Sequence, residues 1–250
     1  MDIILCGCCG HMGRAVAEAA AAAGHRIVAG VDRCTDGSFP FPVYPTAEAV
    51  AEQADVLIDF SHPSALRGVL AAAIHRQLPA VIATTGLDDA QIAAIRETAA
   101  KIPVFFSSNM SVGVAVLAAL TKKAAAVLGG DFDVELVEMH HNRKLDAPSG
   151  TALMLADAAR QGLAHPVEYV YDRHDRRQQR APEEIGISSV RGGNIVGEHQ
   201  VIFAGGDEVL TLTHRAQSRT IFAAGALRAA AFLAEQPVGL YTMDALVQLG

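Results

Sequence analysis

The stretch "HHNRKLDAPSGTA", His140 to Ala152, sets two histidines, an arginine and a lysine within five residues and follows them with a Pro-Ser-Gly-Thr turn. Such side chains bind anions and move protons: lysine is cationic at neutral pH, and histidine changes charge near it. Ser149, after Pro148, has the character of a helix N-cap. A helix start at Ser149, Gly150 and Thr151, with the positive potential of a helix N-terminus, beside Lys144 and His140 is an anion site built in two ways. The chemistry it points to is capture of a carboxylate, with Lys144 or His140 donating a proton. Period-2 alternation in "VEMHHNRK" puts His140, Asn142 and Lys144 on one face if the strand persists, and His141 and Arg143 on the other. Histidines so placed do not share a metal. A polar strand end would explain the pair by itself; the adjoining helix start favours the anion site.

A second constellation is "GCCGHMGR", Gly7 to Arg14. The spacing is G-x-x-G-x-x-G. Small or absent side chains let a backbone approach a pyrophosphate, and a helix N-terminus supplies N–H groups and positive potential. Glycine also marks any tight strand-to-helix turn, so context decides. Here an acid closes the next strand: Asp32 lies 19 residues beyond Gly13 (32 − 13), the expected distance for a ribose-binding carboxylate. The reading is dinucleotide binding. Asp32 favours NADH; the guanidinium of Arg33 either pairs with a 2'-phosphate, which admits NADPH, or merely solvates a loop.

Three of the four cysteines, Cys6, Cys8 and Cys9, crowd this first turn, and Cys34 is the fourth. That is not a secreted disulfide pattern. Adjacent side chains seldom converge on one tetrahedral ion, so no metal is expected even with His11 nearby. Small buried thiols filling tight space are the plainer reading.

These residues need a scaffold. Up to residue 110 short apolar runs alternate with helical stretches: "DIILCG", a helix Gly13 to Gly24, "RIVAGVD", a helix over 46–53, "DVLIDF", a helix from Pro63 to about Gln77, "PAVIATT", a helix over 88–100, and "PVFFSS". Continuous apolar strands between helices imply a parallel sheet covered on both faces, a doubly wound α/β dinucleotide-binding domain. After a helix over 111–128 the pattern changes to strands in succession, "VELVEMHH", "EIGISSVRGG", "EHQVIFAG" and "EVLTLTHRA", with one helix from near Thr151. This predicts a second α+β domain, 111–219, with a mixed or antiparallel sheet. "YVYDRHDRRQQRAPEE" reads as an exposed loop, and residues 220–250 as a helical segment completing the first domain.

The chain has 250 residues, 51% hydrophobic and 19% charged, which suits a globular protein with a buried core. A net charge of −7 argues against a general nucleic-acid binder. No targeting segment is visible, and the Ala-rich runs are interrupted by charges well short of a membrane span. The expectation is a cytoplasmic protein with no membrane or nucleic-acid partner.

The segment "EMHHNRKLDAPSGTA" resembles the signature of the 4-hydroxy-tetrahydrodipicolinate reductase (dihydrodipicolinate reductase) family of the lysine and diaminopimelate pathway. "GCCGHMGR", "DFSHP", "IATTGL", "NMSVGV", "VRGGNIVGEHQVIF" and "HRAQSRTIF" resemble its other segments, in order, along nearly the whole chain. The resemblance implies NAD(P)H on Gly7, Cys8, Cys9, Gly10, His11 and Met12 and on Asp32 and Arg33. It implies Phe60, Ala83, Thr84, Thr85, Ser107, Ser108, Asn109 and Met110 at the nicotinamide end. A cyclic unsaturated dicarboxylate would be held by His141, Lys144, Ser149, Gly150, Thr151 and Arg219. His140 would be the acid/base and Lys144 the proton donor, in a homotetramer formed through the second domain's sheet.

Four departures stand out. His11 replaces the family's usual arginine, which favours NADH over NADPH. Ala83 replaces a usual glycine. Cys8 and Cys9 are uncommon in the loop and raise the question of oxidant sensitivity. The short segment after Arg33 suggests an open adenosine edge. Two competing readings remain at this stage: another two-domain dehydrogenase of the homoserine or aspartate dehydrogenase type, and a nicotinamide redox sensor switched by Cys8 and Cys9.

Overall fold

The computed structural model describes residues 1–34 and 39–247. In chain order the elements are β1 (Asp2–Cys6), α1 (His11–Ala22), β2 (Arg26–Val31), β3 (Val43–Tyr44), β4 (Val56–Asp59), α2 (Leu66–Arg76), β5 (Ala80–Ile82), α3 (Asp89–Ala99) and β6 (Pro103–Phe106). There follow α4 (Val112–Leu128), β7 (Asp133–His140), α5 (Gly150–Gly162), β8 (Glu168–Val170), β9 (Glu184–Arg191), β10 (Gly197–Ala204), β11 (Val209–Ala216), α6 (Thr220–Leu233) and β12 (Gly239–Tyr241). The chain divides into two compact units. Met1–Val112 and the segment from Arg219 form the first; Gly113–Ser218 forms the second.

The first unit is a parallel sheet in the order β12-β6-β5-β4-β1-β2-β3. Strand order reverses between β1 and β4, the place where doubly wound sheets open a crevice. The strand interiors are apolar because both faces are covered. Ile4, Cys6, Leu57, Ile82 and Val104 pack under α2 and α3, while α1 and α6 lie on the opposite face against β1, β4, β5 and β6. Asp88 caps α3 with a reciprocal capping box to Gln91. The expected helix over 46–53 shrinks to a 3-10 turn at Ala47–Ala49. Arg76 explains it: its guanidinium donates to the carbonyls of Val50 (2.7 Å) and Glu52, so those groups need no helical partner.

The second unit is a mixed sheet in the order β11-β10-β7-β9-β8, antiparallel from β11 to β7 and parallel from β7 to β8. Leu117 and Ala125 of α4 and Leu155, Ala156 and Ala159 of α5 cover one face with Val134, Leu136, Ile187, Val201 and Phe203. With the 3-10 turn behind it, α4 spans 20 residues to Asp131 and is long and apolar enough, by length and composition, to cross a membrane. No run of that length was expected. Lys122 and Lys123 interrupt it, and Leu117 and Ala125 belong to the core just described.

The stretch read as an exposed loop is partly structured. Tyr169 and Val170 pair with β9. Arg173 and Arg176 turn back to the nearly buried Glu184, and Arg173 and Arg180 to Glu135. Buried carboxylates demand counter-charges, and the arginines of this segment are the ones within reach. Gly186 leaves room for Glu135: a Cβ there would lie 1.8 Å from Glu135 Oε2.

Candidate active site

In the first unit the glycine loop leaves β1 at Gly7, whose φ of +78° suits glycine. A Cβ on Gly7 would stand 2.6 Å from the Phe60 carbonyl oxygen, and one on Gly13 2.1 Å from Gly7 O. Both glycines are therefore needed for close packing. Gly10 is exposed, and a Cβ there would meet Gly7 O at an ordinary 3.4 Å. Its absence keeps the surface low, which is what a pyrophosphate requires. α1 starts at His11, two residues earlier than expected, and no side chain caps it. The N–H groups of its first turn are left for an incoming anion. Asp32 follows β2 and is oriented by two main-chain donors, Cys9 N–H to Oδ2 (3.0 Å) and Cys34 N–H to Oδ1 (3.3 Å). Each carboxylate oxygen retains a lone pair for a ribose hydroxyl. These features fit a dinucleotide.

Arg33 and His11 are exposed. The adenosine edge after Arg33 falls on residues 35–38, outside the described residues. Phe60, Ala83, Thr84 and Thr85 follow the C-terminal ends of β4 and β5. Thr84 is buried; its hydroxyl lies 2.8 Å from Asp59 Oδ2 and 3.1 Å from Ser61 O. Burial pushes the Asp59 carboxyl up. Ser107, Ser108, Asn109 and Met110 form a braced turn: Ser107 Oγ donates to Asn109 O (2.7 Å), and Asn109 Oδ1 accepts from Ser111 N–H (2.9 Å).

The thiols argue against a redox switch. Cys8 is buried with its sulfur against Gly30, and burial raises its pKa. Burial first, then the neighbouring Cys8 and Asp32, pushes Cys9 up to about 12. A thiol so held is a slow nucleophile at neutral pH. Among the described residues Cys8, Cys9 and Asp32 bring ligand atoms within 4.8 Å of one another. His11 is not among them.

The second unit holds the basic cluster. β7 ends at His140, so the alternation across Lys144 does not persist. The chain turns instead, with Lys144 N–H donating to His141 O (3.1 Å) and Gly192 N–H to His140 O (2.9 Å). Glu138, two residues before His140 on the same strand face, is fully buried. Its Oε2 lies 2.5 Å from His140 Nδ1 and 2.9 Å from Arg191 Nη1; its Oε1 accepts from Arg191 Nη2 (2.7 Å) and Ser149 N–H (3.2 Å). Burial would raise this carboxyl, but hydrogen bonds from Arg191, Ser189 and His140 outweigh it and hold it at about 2. Ser149 caps α5, its Oγ accepting from Ala152 N–H (3.1 Å) and lying 3.0 Å from His199 Nε2. Lys144 Nζ meets Asp146 Oδ1 at 2.8 Å. Gly150 and Thr151 form the first turn of α5. Arg219 belongs to the first unit, one residue before α6, and not to the expected second domain 111–219.

The structure thus brings together His140, His141, Lys144, Ser149, Gly150 and Thr151 in one unit. It adds three residues that sequence reasoning did not single out: Glu138, Arg191 and His199. The signal for two of them was available. Glu138 shares His140's strand parity, and His199 shares that of the apolar Val201 and Phe203.

A glycine loop at the switch point of a doubly wound sheet, with a capped helix start among ionisable side chains in a second unit, fits a nicotinamide-dinucleotide oxidoreductase. Family models for Dihydrodipicolinate reductase match both units: the N-terminus over residues 1–110 and the C-terminus over residues 113–247. The chain belongs to the dihydrodipicolinate reductase family. It is 53% identical over 251 residues to the 4-hydroxy-tetrahydrodipicolinate reductase of Caldanaerobacter subterraneus subsp. tengcongensis, covering 99% of this chain and 98% of that protein. It is 45% identical to that of Zymomonas mobilis, covering 100% and 98%. Among solved structures, the dipicolinate-bound dihydrodipicolinate reductase from Paenisporosarcina sp. TG-14 superposes with a TM-score of 0.80 at 26% identity, covering 99% of both chains. Membership of this family displaces the homoserine or aspartate dehydrogenase alternative.

Proposed function

We propose that this oxidoreductase reduces a dihydrodipicolinate-class cyclic dicarboxylate to its tetrahydro form in lysine and diaminopimelate biosynthesis, in the cytoplasm, with NADH the preferred reductant. The observation that carries the reading is the cage in the second unit: His140 seated on buried Glu138, beside the Ser149-capped start of α5, with Lys144 in the turn between them.

The start of α5 at Gly150 and Thr151, behind the Ser149 cap, binds a carboxylate of the substrate, aided by the charge of Lys144 and by His141. Lys144 holds the proton that quenches the negative charge developing as the ring is reduced, and His140 is the acid/base that takes up and passes on a proton at the same place. Lys144 is kept in reach by Asp146, whose carboxyl its ammonium holds below the usual range. In the first unit the loop Gly7, Cys8, Cys9, Gly10, His11 and Met12 holds the pyrophosphate and Asp32 the ribose. Cys8 contributes main chain alone, since its thiol is buried. Phe60, Ala83, Thr84, Thr85, Ser107, Ser108, Asn109 and Met110 position the nicotinamide; Thr84 acts through its backbone because its hydroxyl is taken up by Asp59 and Ser61. When bound, the cofactor supplies the hydride that the ring carbon accepts. His11 offers a 2'-phosphate less charge than arginine would, and Asp32 repels it, which favours NADH.

The sheet face of the second unit that α4 and α5 leave open exposes Val190 and Val209. Homotetramer formation through that face would cover them.

The test is a coupled assay in which the substrate is made in situ from pyruvate and aspartate semialdehyde by its synthase. The expected result is oxidation of NADH, faster than of NADPH, that depends on both synthase and this protein. Protein that binds NADH but oxidises neither cofactor would overturn the reading.

A further inference from the structure

We propose that Glu138 is a positioning residue for the reduction: it fixes His140 as the Nδ1–H tautomer and ties that ring to the anion-binding start of α5. The proposal rests on the reading of the site given above.

Glu138 has no exposure and four N–H partners: His140 Nδ1, the two terminal nitrogens of Arg191, and the main-chain N–H of Ser149. An ionised carboxylate only accepts. The His140 nitrogen 2.5 Å from it must therefore carry the hydrogen, which leaves Nε2 as the nitrogen that exchanges a proton with substrate. The remaining bonds give the arrangement its stiffness. Arg191 grips Glu138 with both nitrogens, a paired geometry that makes a buried charge tolerable. Its Nη2 also donates to Asp146 O (2.7 Å), in the turn that carries Lys144. Ser149 is held at its own N–H, so the N-cap of α5 is fixed by the same oxygen pair that orients the ring. One buried carboxylate thus sets the acid/base ring, through Arg191 the turn that carries Lys144, and the helix start of α5 in register. Gly197 completes the seat: a Cβ there would stand 3.1 Å from His140 Nε2, on the side where the free nitrogen needs room.

The experiment has two parts. First, the wild-type chain is labelled with 15N-histidine, and the His140 signals are assigned by their loss in His140→Asn. Long-range 15N–1H correlations at neutral pH should show Nδ1–H; an Nε2–H ring overturns the proposal and needs no Glu138 variant to fold. Second, folded Glu138→Gln is expected to lose about tenfold or more in kcat, the scale of impaired general acid–base catalysis. The NADH dissociation constant should stay within about twofold, since the cofactor loop lies in the other unit. Glu138→Asp should restore part of kcat. Folded Glu138→Gln with wild-type kcat and an unchanged tautomer overturns the proposal. A wild-type enzyme without turnover overturns the reading of the site instead, while the tautomer is still read directly from the spectrum.

Discussion

Ser149 Oγ lies 3.0 Å from His199 Nε2 and 3.1 Å from the Ala152 N–H that it caps. One hydroxyl thus serves a helix start and a buried ring. Ser149→Ala removes both. Loss of the cap costs about 1 kcal/mol, and an unpartnered buried imidazole nitrogen costs about 1–3 kcal/mol more. The variant should unfold at clearly lower denaturant and show a raised substrate KM with NADH affinity unchanged. Wild-type stability in a urea titration would mean that the pair does not hold the helix start.

Burial, then the neighbouring His140, pushes His199 down to about 4 from its usual 6.5. Burial pushes His214, its partner across β10 and β11, in the same direction. The unfolded chain therefore takes up protons below pH 6.5 that the native chain refuses, and stability falls as pH drops from about 6.5 to about 4. For His199 alone the loss approaches about 3 kcal/mol. Glu138 acts lower: its native carboxyl at about 2 stabilises above the ordinary value of 4.5, and that contribution is lost between the two. Asp59 works in the opposite sense, its carboxyl being raised. Denaturant midpoints of wild type and His199→Gln between pH 7 and pH 5 isolate the histidine. The variant should give the flatter profile, even if it is less stable throughout; equal slopes would remove His199 from the account.

The parts of the site governed by local rules were legible in the sequence. Gly7 and Gly13 with Asp32 declared a strand–turn–helix unit, and Pro148-Ser149 declared a helix start. What escaped depends on distant partners. Glu138 becomes a site residue only because Arg191 arrives from β9, paired beside it 53 positions later. The helix expected over 46–53 fails because Arg76, from α2, takes its carbonyls. β3, β8 and β12 have two or three residues each and are strands only by virtue of their neighbours. The alternation through Lys144 misled because β7 ends at His140, where the chain hydrogen-bonds to the turn after β9.

The glycines of the loop should separate fold from binding. Gly13→Ala drives a Cβ to 2.1 Å from Gly7 O and 2.6 Å from Cys8 Cα, so both melting temperature and NADH affinity should fall. Gly10→Ala meets nothing closer than 3.4 Å. It should melt close to wild type yet bind NADH at least about tenfold more weakly, because the new methyl would stand where the pyrophosphate is proposed to approach. A fluorescence titration beside a thermal melt reads both. Unimpaired binding by Gly10→Ala would move the pyrophosphate off this loop.

His11 is exposed at the first position of α1. His11→Arg adds a permanent cation there and should raise the ratio of NADPH to NADH kcat/KM several-fold, mainly through the NADPH KM. A ratio that does not move would assign cofactor choice to Arg33 instead.

Lys144 is half-buried, its ammonium 2.8 Å from Asp146 in the turn between His140 and Ser149. Its proposed role as proton donor and carboxylate ligand lies in the second unit, while the glycine loop and Asp32 lie in the first. Lys144→Ala should therefore lower kcat by about a hundredfold or more and raise substrate KM, with the NADH dissociation constant unchanged. Asp146→Asn, which keeps the lysine but removes its tether, should cost far less. If Lys144→Ala lost NADH affinity to the same degree as turnover, the lysine would belong to the cofactor site, and the proton would have to come from His140 alone.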